Sequence, residues 1–343
     1  IFIYYGIKAL FNILVLFLLF SCGAKPPDKI STSKTFHENG QIKHILTYKN
    51  SFLDGPYTEY YKNGQIKSSG KFLNDLKTGK WLTYYRTGEV EQSQDYVNGK
   101  LSGEWIYYFT NGNIKQKVNY KLGYKHGDYI RYDDKGKILS SRNYKNGNQH
   151  GEWISHYKNG QIKYKRNYNN GVENGLWISY YKNGKCKYEK NFKNGVLDGK
   201  YFSFYQSGQL EFESNYINGE KDGRWSYYFP NGKLWYEQNY QYSVEHGKYV
   251  EYHQNGQLKA SGSYKIGKKD GKWLSYYDNG QILEEVNYKK GYYDGKNITF
   301  HSNGEVKSTG LWTNGKKHNI WTWYHKNGQL HEELSFKDGE ISW

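Results

Sequence analysis

Residues Gly271–Gly295 read GKWLSYYDNGQILEEVNYKKGYYDG, and this stretch decides the fold. The dipeptide Asn279-Gly280 suits a two-residue type I′ turn, because both central positions of that turn need positive φ. Its flanks, Lys272–Tyr277 and Gln281–Tyr288, are short and rich in Trp, Tyr, Ile and Val. They read as strands and leave little room for a helix. Tyr293-Asp294-Gly295 reads as a second turn that carries the chain onward, since Asp bonds its own turn amides. The stretch is one β-hairpin.

The same pattern extends in both directions. A turn glycine returns every 24 residues, at Gly40, Gly64, Gly88 and so on to Gly328. Asn precedes it in ten of the thirteen copies, with Thr87, Lys135 and Ser207 in the others, so one local geometry is repeated. A second glycine follows fifteen residues later, from Gly55 to Gly295, until Asn319 takes its place. A strict period of this length means one supersecondary unit copied in tandem, each copy burying its neighbours' surfaces. The fold class expected is all-β: an elongated array of antiparallel β-hairpins forming a single twisted, curled meander sheet. Thirteen hairpins at two strands each would span about 120 Å before twist.

A two-residue loop fixes the register, and the register fixes the faces. With Asn63-Gly64 as the loop, Tyr61 stands opposite Ile66, Tyr60 opposite Lys67 and Tyr57 opposite Gly70. Tyr249 likewise stands opposite Gly262. One face then collects the Trp81, Tyr85, Val90 and Tyr96 positions and is expected to line the inside of the curl. The other face carries an aliphatic row (Leu82, Ile106, Ile130), tyrosines and a lysine row. Cys186 falls in an isoleucine position and reads as a small core hydrophobe.

Composition agrees with a thin aromatic sheet rather than a thick globule. Of the 343 residues 39 are Tyr, and aromatics make up 19% of the chain while all hydrophobic types together reach 36%. A compact domain of this size needs many more aliphatic side chains. The net charge of +16 speaks to solubility and anionic partners, not to fold. Two cysteines, Cys22 and Cys186, are too few for a disulfide framework.

The first twenty residues differ from the rest. Ala9–Phe20 is apolar apart from Asn12, and Leu19-Phe20-Ser21-Cys22 follows. That ending resembles a bacterial lipobox, which implies a signal peptide over 1–21 and lipidation of Cys22. Residues 22–34, with Pro26-Pro27, read as a flexible tether, and 35–343 as the repeat domain. The localisation expected is the bacterial cell envelope, lipid-anchored.

No catalytic pattern appears. There is no P-loop, HExxH, GxSxG or dinucleotide fingerprint, and the eleven histidines fall into repeat positions instead of gathering. His253, His301 and His325 share a position, but copies stand two strands, about 10 Å, apart, too far for one metal. No metal, no cofactor and no enzyme activity are expected.

The residues GKWxxYYxNGQIKxxxxYKNGxxDG, nearly intact at Gly151–Gly175 and Gly271–Gly295, resemble the variant MORN repeat, whose bacterial members include YwqK-type antitoxins. The resemblance implies a scaffold of stacked hairpins that binds a partner protein. Two surface readings accompany it. Lys43, Lys67, Lys115, Lys163, Lys187, Lys259 and Lys307 occupy one repeat position, and Tyr60, Tyr108, Tyr180 and Tyr252 another. Together they form a candidate binding face, either a solvated face that keeps sheets apart or a ribbon for anionic lipid or cell-wall polymer. Nucleic acid does not fit, because a basic charge without a recognition module is a poor footprint and the lipobox points outside the cytoplasm.

Overall fold

A computed structural model describes residues 27–342. Within them the chain forms 31 strand segments, from Ile30–Phe36 to Glu340–Ile341, and no helix. Successive strands pair antiparallel, Ile30–Phe36 with Ile42–Lys49, Ile42–Lys49 with Phe52–Tyr60, and so on in one open sheet; where a strand is split in two, as at Lys100–Leu101 and Gly103–Tyr108, both pieces pair with the strand before, Val90–Val97. The first strand begins at Ile30 and is paired throughout, so residues 30–34 belong to the sheet and not to a tether. The signal peptide expected over 1–21, with Cys22, falls outside the described residues.

The Asn-Gly loops are not two-residue type I′ turns. The Tyr61 carbonyl accepts from Gly64 N–H at 2.9 Å, and Tyr61 N–H donates to the Gln65 carbonyl at 2.8 Å. Gly64 has φ 85°, whereas Asn63 is absent from the residues with positive φ. This is a three-residue loop, a type I turn closed by glycine in the left-handed region. Asn63 Oδ1 accepts from Gln65 N–H at 3.2 Å, a bond that holds the asparagine in the turn. The true two-residue loops come at the other end of the hairpin. At Asn98-Gly99 both residues are left-handed, φ 48° and 75°, and Val97 pairs with Lys100 across them.

The Asp-Gly positions expected to be the second turn lie inside strands instead. Gly295 sits within Tyr292–Phe300 at φ 108°. Opposite it the register jumps, with Tyr288 facing Tyr293 but Val286 facing Asn297. The glycine therefore marks a bulge. At Gly55 the need is direct: a Cβ there would stand 2.7 Å from Thr47 Cγ2.

A second bulge cancels the extra loop residue. Tyr60 pairs with Ile66 and Glu59 with Ser68, so Lys67 is left over. The strand body beyond it regains the frame read from the sequence, and Tyr57 stands opposite Gly70 and Tyr249 opposite Gly262. The bulge has a cost for the face assignment, because it inverts the residues beside it. Val90 lines a hollow with Lys80, Leu82, Ser93 and Tyr108, and Ile114 lines one with Lys117, Tyr108 and Tyr132. The Val90 position is thus on the aliphatic face, opposite the tryptophans.

The tryptophan face is the better packed. Trp81, Trp177, Trp225, Trp273 and Trp321 are buried. Each donates its Nε1 to a carbonyl ten residues earlier, Trp177 to Asn167 at 2.9 Å and Trp81 to Lys71 at 3.1 Å. The Asn167 carbonyl also accepts from Asn174 N–H in the glycine bulge, so both its lone pairs are used. Ring meets ring from copy to copy, for example Tyr144–Trp153–Tyr168–Trp177–Phe192 at centroid distances of 4.7–6.0 Å. Gly70, Gly262 and Gly310 lie beneath indoles of the following strand: a Cβ would meet Trp81, Trp273 or Trp321 at 2.1–2.2 Å. The ring that covers Gly70 is therefore Trp81, not only the opposing Tyr57. The tryptophan position of one copy holds Asn297, which is buried and donates to Glu284 Oε1 at 2.8 Å.

Candidate binding surfaces

The sheet has two long sides built by the two kinds of loop. Along the Asn-Gly side, most loops are tied to the next copy. Asn39 Nδ2 donates to the Lys62 carbonyl, Asn159 to Lys182 and Asn303 to Lys326, at 2.9–3.1 Å. Two residues before the asparagine, a tyrosine hydroxyl reaches the same way, Tyr61 to the Tyr84 carbonyl and Tyr205 to Tyr228, both at 2.7 Å. Where histidine replaces that tyrosine, its Nε2 meets the equivalent carbonyl: His37 that of Tyr60, His253 that of Tyr276 and His301 that of Tyr324, at 2.9–3.0 Å. These histidines are structural substitutes for a hydroxyl. Among the described residues no group of three or more His, Cys, Asp or Glu is placed to hold a metal.

The candidate face of lysines and tyrosines divides in two. The bulge turns the lysine position onto the tryptophan face. Lys67 Nζ lies 2.7 Å from Glu59 Oε1, and Lys259 Nζ 2.7 Å from Glu251 Oε1. Glu251 accepts from Tyr249, whose ring stacks on Trp273. Lys115, Lys163 and Lys187 lie over Phe109, Tyr157 and Tyr181, 5.7–5.8 Å from the ring centres. Burial opposes ionisation of Glu59, but the Lys67 ammonium and the Ser68 hydroxyl, with His44 nearby, outweigh it and hold the carboxyl below its usual range. Tyr60, Tyr108, Tyr180 and Tyr252 belong to the opposite face, where Tyr60 pairs with Ile66 and Tyr252 with Leu258. Lys43 and Lys307 occupy the same position as Lys67, the strand residue directly after Ile42 and Val306.

A second set of cations is half-buried deeper on the tryptophan face. Lys77 Nζ stands 4.1 Å from the Trp81 ring centre and Lys269 Nζ 4.1 Å from that of Trp273. Burial pulls both ammonium groups below the usual lysine range. Cys186 behaves as its isoleucine position suggests. It is a free thiol pushed up to about 11, first by burial and then by the Glu189 carboxylate. A thiol so poised makes little nucleophile.

The side formed by the two-residue loops is of another character, and the sequence pattern did not reveal it. Phe52, Leu76, Tyr124, Val172, Val196, Val244 and Tyr292 share the position just after the loop, and all are exposed. The loop tips add Leu122, Tyr242 and Ile266, the last two 72% and 74% exposed. Their side chains lean on the loop glycine of the following copy: Leu76 Cδ2 lies 3.3 Å from a Cβ built at Gly99, and Tyr124 Cδ1 3.5 Å from one at Gly147. The result is an apolar ridge in patches along this side, interrupted where Lys100, Asn148, Glu220, Lys268 and Lys316 take the position after the loop, with successive copies about 10 Å apart. The signal was present as an unexplained scatter of Leu, Val, Ile and Tyr beside Asn-Gly, but only the loop geometry aligns it.

The MORN repeat variant profile matches twelve segments, beginning at 31–50 and ending at 317–338, that together cover more than half of the chain. No curated protein matches it. Among solved structures it is similar to TcdB2-TccC3, at 10% identity over 91% of this chain and 23% of that one, with a TM-score of 0.16. It is also similar to the Photorhabdus luminescens Tc holotoxin pore, at 11% identity over 91% and 22%, TM-score 0.17. A porin-like protein from Bacteroides uniformis gives 11% identity over 89% and 93%, TM-score 0.12. The chain spans less than a quarter of the length of the first two. At these TM-scores none bears on how the chain works. With hairpin after hairpin of the matched period on one sheet, the chain belongs to the MORN repeat variant family.

Proposed function

We propose that this protein is a non-enzymatic scaffold, anchored to the cell envelope through Cys22, that holds a partner protein along its apolar ridge. The observation that carries this reading is the ridge itself: Phe52, Leu76, Leu122, Tyr242, Ile266 and Tyr292 are all exposed along one flank of the sheet. Large apolar side chains exposed together on one flank mark interaction sites in soluble domains. Long repeat arrays offer such surfaces without a pocket, and a spacing set by the repeat suits a partner that is itself extended.

The test is proximity labelling in cells with the native chain, the Cys22→Ala form and a ridge variant carrying Leu122→Ser, Ile266→Ser and Tyr292→Ser. The expected result is one set of neighbours that disappears with the ridge variant and changes with the anchor variant. An unchanged set in the ridge variant would remove the scaffold reading. A second reading is supported by the lysines over rings at Lys115, Lys163 and Lys187, which suit anionic polymer or lipid. Charge reversal of those three lysines leaves the first reading intact and abolishes the second.

A further inference from the structure

The Asn-Gly side carries one cleft that none of these readings uses. It has a volume of about 430 Å³ and is lined by Lys43, Lys62, Lys67, Arg86, Tyr61 and Glu59, among others. Three consecutive copies contribute to it. Glu59 is its one carboxylate, and that charge is already met by Lys67 at 2.7 Å, with the Ser68 hydroxyl at 3.1 Å. Lys62 reaches only Glu38, at 3.8 Å, and that carboxylate is almost fully exposed, so water and salt screen the pair. Arg86 lies over the Tyr61 ring at 5.8 Å, and neither it nor Lys43 has an ion pair among the described residues. The cleft thus holds two cations without a counter-charge and a third weakly met, around the edge of an aromatic ring.

We propose that this cleft seats an acidic, extended peptide segment. A single small anion is a poor match, because Lys43 and Arg86 spring from backbone three strands apart, about 14 Å. An extended chain places alternate side chains on one side about 7 Å apart, so carboxylates two and four residues along reach successive cations. Arg86 takes a carboxylate in two-pronged fashion, while Lys43 and Lys62 act as point charges. The Tyr61 ring gives the peptide backbone an apolar floor. Lysines are at least as dense further along the same side, at Lys158, Lys182 and Lys185, yet those do not line this cleft. The proposal is independent of the ridge.

The experiment uses the chain with its repeats intact and a fluorescent peptide of alternating glutamate and serine, followed by anisotropy at about 0.15 M salt, where long-range charge effects are screened. Lys43→Glu with Arg86→Glu is expected to weaken binding by about tenfold or more. Lys158→Glu with Lys182→Glu, the same charge change outside the cleft, is expected to weaken it by less than about twofold. The milder pair Lys43→Gln with Arg86→Gln should lie between, and near-ultraviolet circular dichroism confirms that each variant keeps its aromatic packing. Equal losses from the two charge reversals would mean unspecific attraction to a basic protein and would overturn the proposal. Displacement of the peptide by inorganic phosphate at matching concentration would do the same, by making the cleft a small-anion site. Ridge variants should bind the peptide normally, so failure here and failure of the scaffold reading are told apart.

Discussion

The two long sides of the sheet share the Asn-Gly dipeptide in many of their loops and differ in almost everything else. At Asn63-Gly64 only glycine is left-handed, the asparagine side chain is bonded into its own loop, and the loop is laced to the next copy. At Asn98-Gly99 both residues are left-handed, and where Leu122, Tyr242 or Ile266 stands in the asparagine's place the tip carries an exposed apolar group. The lesson is that Asn-Gly does not choose between the two loops. The asparagine can serve through its side chain or through its tolerance of positive φ, and the strands on either side decide which.

The largest effect should come from breaking the alternation of the two sides. Deleting Gly151–Asn174 removes one loop from each side and should leave a folded array with a slightly lower Tm. Deleting only twelve residues forces two unlike sides together and should abolish the near-ultraviolet dichroism of the packed rings. Equal melting of the two deletions would end the claim that the sides are distinct.

Next in size is the exchange of asparagine for a β-branched residue on each side. Asn98→Val must hold a branched side chain at positive φ and should lose about 1–3 kcal/mol. Asn63→Val loses only side-chain hydrogen bonds, about 1 kcal/mol. Comparing the two by thermal melting sharpens the distinction, and a larger loss at Asn63 would reverse it.

A smaller effect follows from cutting one lace. Tyr61→Phe removes the hydroxyl bonded to the Tyr84 carbonyl and should lose about 1 kcal/mol, with amide exchange rising first in the Asn-Gly loops. The smallest belongs to the ridge. Ile266→Ser changes an exposed tip and should shift stability by no more than about 0.5 kcal/mol. A large loss there would mean that the ridge supports the fold itself.

Much of the fold was legible because tandem copies average out local noise. The hairpin unit, its period, the tryptophan face and the pairing of Tyr57 with Gly70 all follow from spacing. The turn type was misread at Asn63-Gly64, yet the register survived, because the bulge at Lys67 adds back what the loop took. Two irregularities that cancel leave no trace in the spacing of the strand body. They do leave a trace in the faces, where Lys67 and Ile66 exchange sides. The candidate face assembled from lysines and tyrosines was divided for that reason alone. Cys186 shares the half-buried position of isoleucine and leucine in other copies, but beside Tyr180 on the aliphatic face rather than with the tryptophans.

The amino-acid order by itself determined a repeating antiparallel sheet, because a strict period of turn residues and aromatic strands admits no other economical pairing. Only the tertiary structure decided which side chains share a surface. Bulges at Lys67 and Gly55 cost no residues in the period and are invisible to it, while each one rotates the chain about its own axis. The apolar ridge and the basic cleft depend on those rotations, so they emerge from the folded backbone rather than from the string of residues.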